Sequence, residues 1–145
     1  MAEAAFGELE SVYADLDAEL RRLAPVCRTS GECCRFVKSG HRLYTTPLEL
    51  DYLRARTGFA GARAEQVADG ACPFLRDGRC GVRDHRMLGC RVYFCDPRFA
   101  SDMPRVYESF HARVKDVMRR HGIPYAYFDF LSRIGAELAT RGAPA

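Results

Sequence analysis

CPFLRDGRCGVRDHRMLGCRVYFC, residues 72–95, sets Cys72, Cys80, Cys90 and Cys95 among turn residues and short apolar runs. Its upstream counterpart is VCRTSGECC, residues 26–34, where Cys27, Cys33 and Cys34 form a second group. Thiols this dense are a disulfide framework, the ligands of a metal or cluster, or buried core residues. The two groups flank a segment that has a helix of its own, which predicts that they meet in space.

Composition separates these readings. A chain of 145 residues with 48% hydrophobic and 28% charged residues is about one globular domain. It is long enough to bury an apolar core without disulfides. The opening residues, MAEAAFGELESVYADLDAEL, are acidic and amphipathic and lack the basic, apolar and cleavage regions of a secretory signal. No apolar run approaches the length of a membrane span. The expected location is therefore the reducing cytoplasm, where clustered cysteines mean metal or catalysis more often than disulfides. Seven cysteines would also leave one thiol over in any all-disulfide scheme. The net charge of +3 is too small to argue for nucleic acid.

Periodicity supplies the frame. Phe6, Leu9, Val12, Tyr13, Leu16, Leu20 and Leu23 recur at spacings of three and four, which predicts a helix of about five turns ended by Pro25. A short extended piece, HRLYTT from His41, leads to Thr46-Pro47-Leu48-Glu49, a capping box that opens a helix stopping near Thr57-Gly58. Residues 58–71 read as a surface connection with at most one helical turn. Asp77-Gly78 between short apolar runs predicts a β-hairpin that brings Cys72 and Cys80 close.

Beyond residue 100, Ser101 or Asp102 is set to cap a helix with Val106, Phe110, Val114, Val117 and Met118 on its apolar stripe, ending at His121-Gly122. A last helix is expected to open at Pro124 with Tyr125, Phe128, Leu131, Ile134 and Leu138 on one face. The predicted fold is mainly α with a small cysteine-bearing β-hairpin and irregular loops. It is one domain, residues 1–145, with a cysteine core at 27–95 and supporting helices at 1–24 and 101–140, built around a metal site.

The candidate metal ligands are Cys27, Cys33, Cys34, Cys72, Cys80, Cys90 and Cys95. Zinc favours paired knuckles of the CxxC kind, and this chain has no CxxC. An iron–sulfur cluster needs about four thiolates but tolerates irregular spacing, so the spacing leans towards iron while leaving zinc open. His85, midway between Cys80 and Cys90, is a further candidate ligand. His41, His111 and His121 read as surface or capping residues. Arg86 and Arg91 flank Cys90, where a guanidinium can offset the negative charge of a thiolate site and donate hydrogen bonds, so both are candidate cofactor-binding residues.

The order Cys27…Cys33-Cys34, then Cys72-Pro73-Phe74-Leu75, then Cys80-Gly81-Val82, then Arg86-x-x-x-Cys90-Arg91-x-Tyr93 resembles the bacterial cysteine-cluster proteins of the YkgJ type, a zinc- or iron-chelating domain. Their pattern is CxxCxxCC, a cysteine-containing hairpin and an RPxxCR stretch. The likeness covers residues 27 to about 95. Ser30 stands where the second cysteine of the first motif belongs, Met87 replaces the proline of the last, and Arg83 replaces a usual tyrosine. The resemblance implies an iron–sulfur cluster or zinc in a structural or electron-transfer role. Proteins similar to this family also occur in a flagellin lysine methylase, which leaves open a cluster-dependent protein-modifying enzyme; a metal carrier or sensor is the third class. No glycine-rich nucleotide loop, Ser-His-Asp set or paired carboxylates point to a catalytic centre. The expected partners are the metal or cluster and, beyond it, a protein, with neither nucleic acid nor membrane.

Overall fold

The structure is a computed structural model that describes residues 2–23, 42–92 and 101–141. Its frame is two long helices, α1 (Ala2–Leu23) and α5 (Asp102–Arg120), packed against each other. The predicted stripe of α1 is the buried one: Phe6, Leu9, Val12, Tyr13, Leu16 and Leu20 all face inward. Val106, Val114, Val117 and Met118 of α5 close over them. At 22 residues α1 makes about six turns, one more than the stripe predicted, because its first turn is helical ahead of Phe6.

Helix α2 (Pro47–Thr57) begins and ends where the sequence predicts. Thr46 is extended, with φ −110° and ψ 161°, and its side chain accepts from the Glu49 amide at 3.4 Å. Pro47 takes the first helical position, where its missing amide costs nothing. Gly58 terminates the helix at φ +60°, donating its amide to the Arg54 carbonyl. Both sides of α2 are buried: Leu48 and Tyr52 join the cluster under α1, whereas Leu50 and Leu53 join a second cluster. That second cluster also contains Leu43, Phe74, Val82, Phe130 and Ile134. Sharing α2 between two clusters makes the described residues one domain.

The connection after Gly58 contains a single short helix, α3 (Ala64–Ala68), as expected. Strands β2 (Leu75–Arg76) and β3 (Arg79–Cys80) form the predicted hairpin. Asp77 and Gly78 both have positive φ, 49° and 75°, the pair of left-handed residues a tight two-residue turn needs. A short 3₁₀ turn (Arg83–His85) and a one-turn helix, α4 (Leu88–Arg91), follow.

The C-terminal part departs from the prediction. Pro124 does not open a helix; residues 123–127 are not helical, and Phe128–Asp129 form β4, paired antiparallel with β1 (Tyr44–Thr45). Helix α6 (Phe130–Arg141) starts six residues later than Pro124. Aromatic residues favour a pleated surface, and β1 supplies a distant edge for Phe128 and Asp129. Asp129 then caps the helix, accepting from the Ser132 amide at 3.0 Å and the Ser132 hydroxyl at 2.8 Å. At the start of α5, Ser101 occupies the cap position but makes no side-chain capping bond. The mainly helical fold with a small cysteine-bearing hairpin stands, with the β1–β4 ribbon as an addition.

Candidate metal centre

Three of the predicted ligands fall in the described residues, and three different elements present them. Cys72 sits in the turn before β2, Cys80 ends β3, and Cys90 lies on α4. Cys72 is buried within the second core cluster, and Cys80 and Cys90 pack against that same cluster, half-buried. No disulfide joins the three to one another. Across the hairpin the partner of Cys80 is Leu75, because each strand is only two residues long. Cys72 stands one turn further back, its carbonyl accepting from the Leu75 amide at 3.1 Å and Gln66 Nε2 at 2.7 Å. The hairpin brings both cysteines to one cluster, but not directly opposite each other.

Backbone geometry around the thiols is tight. The Gly81 amide donates to the Phe74 carbonyl at 2.9 Å, and a Cβ at Gly81 would meet that oxygen at 2.9 Å. Gly89, beside Cys90, lies against the Leu43 side chain, where a Cβ would clash. Glycine at both places lets the loop from Cys80 to Cys90 lie flat on the core.

A buried polar hub holds this loop. Glu49 is 2% exposed, and its carboxylate accepts from the Tyr13 hydroxyl at 3.0 Å, Thr45 at 3.3 Å, Thr46 at 3.0 Å and the Leu88 amide at 2.7 Å. The last bond ties α2 to the first residue of the helix that carries Cys90. Burial, with the Glu49 carboxylate beside it, pushes the Tyr13 phenol well above its ordinary range, so Tyr13 is fixed as a donor.

Arg91 lies beside this hub, 5% exposed, its guanidinium 4.0 Å above the Tyr13 ring. It donates from Nε to the Arg86 carbonyl at 2.8 Å, from Nη2 to the Asp84 carbonyl at 2.9 Å, and from Nη1 to Asp17 at 3.1 Å. All three nitrogens thus serve oxygens of the loop and of α1. Arg86 is half-buried, and its Nε donates to the Arg83 carbonyl at 2.9 Å. His85 faces Tyr52, with ring centroids 5.8 Å apart.

Sequence reasoning identified Glu49 only as a helix cap. The available signal was a glutamate inside an apolar helix segment whose two neighbours, Leu48 and Leu50, are both core residues. His111 is a correction. It is buried at 8% exposure against Tyr107, Tyr125 and Tyr127, not a surface residue. His121 takes the expected end-of-helix place on α5, where it pairs with Glu8.

In kind, the described thiols fit a soft metal or cluster; in number they fall short of the four that either needs. Among the described residues no three His, Cys, Asp or Glu side chains form a group able to hold a metal ion. Cys27, Cys33, Cys34 and Cys95, together with Ser30 and His41, lie outside the described residues. Among the described residues no helix is long and apolar enough to cross a membrane. Comparison with protein families, curated proteins and solved structures finds no match to this chain.

Proposed function

We propose that this chain is a metal-binding protein of a reducing, cytoplasmic setting whose cysteine thiolates hold an iron–sulfur cluster or zinc in a structural or electron-transfer role. The observation that supports this reading best is the gathering of Cys72, Cys80 and Cys90 on one core cluster from three separate elements. The remaining ligands would come from Cys27, Cys33, Cys34 and Cys95. Cys95 follows Cys90 by five residues, a reach of at most about 18 Å.

In this reading Glu49 and Arg91 prepare the site without binding the metal. Glu49 fixes the start of α4, and Arg91 ties two carbonyls of the Cys80–Cys90 loop to α1. The loop is thereby preorganised. Arg86, which braces Arg83, contributes through the same loop.

Anaerobic purification without added metal, followed by elemental analysis and an absorbance spectrum, tests the proposal. Expected is zinc, or iron with sulfide, at fixed stoichiometry, with most thiols unreactive towards a thiol reagent until the chain is denatured. A metal-free protein that stays folded, with its half-buried thiols reacting freely, would overturn it.

A further inference from the structure

Residues 123–127 form a strap that doubles back along α5 before entering β4. Ile123 packs on the first core cluster and Phe128 on the second, so the strap is anchored at both ends. Between them, Tyr125 meets His111 and Tyr127 meets Tyr107, one helical turn earlier. Among the described residues, two side-chain hydrogen bonds join the strap to α5. His111 Nε2 and the Tyr125 hydroxyl share one of 2.9 Å, and the Tyr107 and Tyr127 hydroxyls share one of 2.5 Å. Residues 124–127 are exposed, which puts the middle of the strap among the segments that open at low cost.

The strap buries His111. Its ring stacks on Tyr107 of its own helix at 5.4 Å and meets Tyr125 and Tyr127 of the strap at 5.9 and 5.0 Å, edge to face. Lifting the strap therefore returns the imidazole to water. Its Nδ1 is buried without a hydrogen-bond partner, the one side-chain nitrogen or oxygen in that condition among the described residues. A neutral imidazole has a proton on one nitrogen only, and with Nε2–H donating to Tyr125 the bare Nδ1 donates nothing. A protonated ring has N–H on both nitrogens. Under the closed strap that second N–H would be a buried donor of a charged group with no acceptor, which is costly. With the strap lifted, water accepts from it.

Neighbouring charges do not supply the missing acceptor. Glu49 has both carboxylate oxygens committed to Tyr13, Thr45, Thr46 and the Leu88 amide. Glu108 of α5 is exposed, and Lys115, one turn beyond His111, is a like charge with its ammonium 5.1 Å over the Tyr125 ring. The ribbon brings one charge of each sign: Arg42, just ahead of β1, and Asp129, whose carboxylate caps Ser132. The balance agrees with the geometry. Burial lowers the His111 pKa against the pull of Glu49, and Lys115 lowers it further against Glu108.

We propose that His111 is a proton-operated latch: the neutral ring holds the middle of the strap against α5, and the protonated ring, with an N–H that the closed strap cannot satisfy, releases it. Tyr125 and Tyr127 then leave α5 while the helical frame stays packed. The frame is independent of the latch, because Val106, Val114, Val117 and Met118 join α5 to α1 and His111 is not in their cluster.

The test is a titration from pH 7.5 to pH 5 of protein carrying ¹³C-labelled histidine and tyrosine, followed by NMR. Expected is that the Tyr125 and Tyr127 ring signals move towards free-tyrosine values together with the His111 signal, while the Tyr13 ring, in the frame, stays in place. The ratio of open to closed strap should rise by up to tenfold per pH unit below about pH 6.5, as one proton allows. In His111→Phe, or in His111→Gln if the first variant fails to fold, the two tyrosine signals should no longer depend on pH. Linkage is reciprocal, so Tyr125→Ala, which weakens the closed strap, should raise the His111 midpoint towards 6.5. Tyr125 and Tyr127 signals unchanged down to pH 5 would overturn the proposal, whether or not His111 titrates. So would a pH dependence that survives in His111→Phe, or a Tyr13 signal that moves with the strap and so reveals general unfolding.

Discussion

The region under α1 and the region around the cysteines are stabilised in different ways. In the first, two long helices each turn one apolar stripe inward, and burial of residues such as Leu9, Leu16 and Val114 does the work. Any side chains of similar volume and pattern would serve nearly as well. Around the cysteines the elements are two to five residues long, too short to hold their shape alone. Specific residues fix them instead: the left-handed Asp77-Gly78 pair, the close-packed Gly81 and Gly89, and the Glu49 and Arg91 bonds. The first region can stand on apolar burial. The second buries an apolar cluster too, with Phe74, Val82 and Met87 in it, and adds these specific ties to hold its short elements.

The largest expected effect breaks the second region and spares the first. If Cys90 is a ligand, metal-binding free energy is also folding free energy. Cys90→Ala should then lose metal and more than about 3 kcal/mol of stability, well beyond the packing of one half-buried thiol. Chelation of the parent protein should act in the same direction. Denaturant melts of variant and parent, with metal content measured in parallel, check this. Coincident melts would remove Cys90 from the ligand set.

Glu49→Ala strikes the join between the two regions. It leaves the Leu88 amide and the Tyr13 hydroxyl buried without their acceptor, at a cost of about 3–5 kcal/mol. Glu49→Gln keeps an acceptor and should lose less. If Glu49→Ala melts like the parent, the hub does not hold α4. A smaller loss, about 2–4 kcal/mol, is expected for Leu16→Ala in the first region. Its metal content should equal the parent's, because Leu16 lies in the cluster that contains no described cysteine.

What was legible in the sequence follows the same division. The α1 stripe, the Thr46–Glu49 cap, the Gly58 stop and the Asp77-Gly78 hairpin are local signals, each readable within a few residues. The β1–β4 ribbon was not, because Tyr44 and Asp129 are 85 positions apart and Pro124 resembles a helix opener. Tyr125 and Tyr127 carry a period of two, but the spacing of three through Tyr125, Phe128 and Leu131 equally fits a helical face. The buried role of Glu49 depends on donors from α1, β1 and α4, and no short window contains them all. Arg91 was singled out for its place beside Cys90; that its guanidinium is used on loop carbonyls and Asp17 follows only from the packing of α1 across that loop.

The smallest effect concerns His111, the one buried histidine among the described residues. Burial lowers its pKa from the ordinary value of 6.5; Lys115 acts in the same direction, and Glu49 and Glu108 oppose it. In the unfolded chain His111 takes a proton near pH 6.5, whereas in the fold it does so only at lower pH. The unfolded state therefore binds more protons in that window. The stability contributed by the neutral ring is complete above about pH 6.5 and is lost as pH falls towards the folded pKa. The slope cannot exceed that of one proton, about 1.4 kcal/mol per pH unit. The carboxylates held low by ion pairs, Glu3, Glu8, Glu19 and Asp116, lose their contribution only below the ordinary values of 4.5 and 3.8, outside this window. His111→Phe keeps a ring against Tyr107 and removes the proton. Stability of variant minus parent, measured from pH 7 to pH 5, should become more favourable to the variant as pH falls. A difference that stays constant over that range would mean that the ring is protonated alike in the folded and unfolded chain, and that the interior around α5 is wetter than its packing implies.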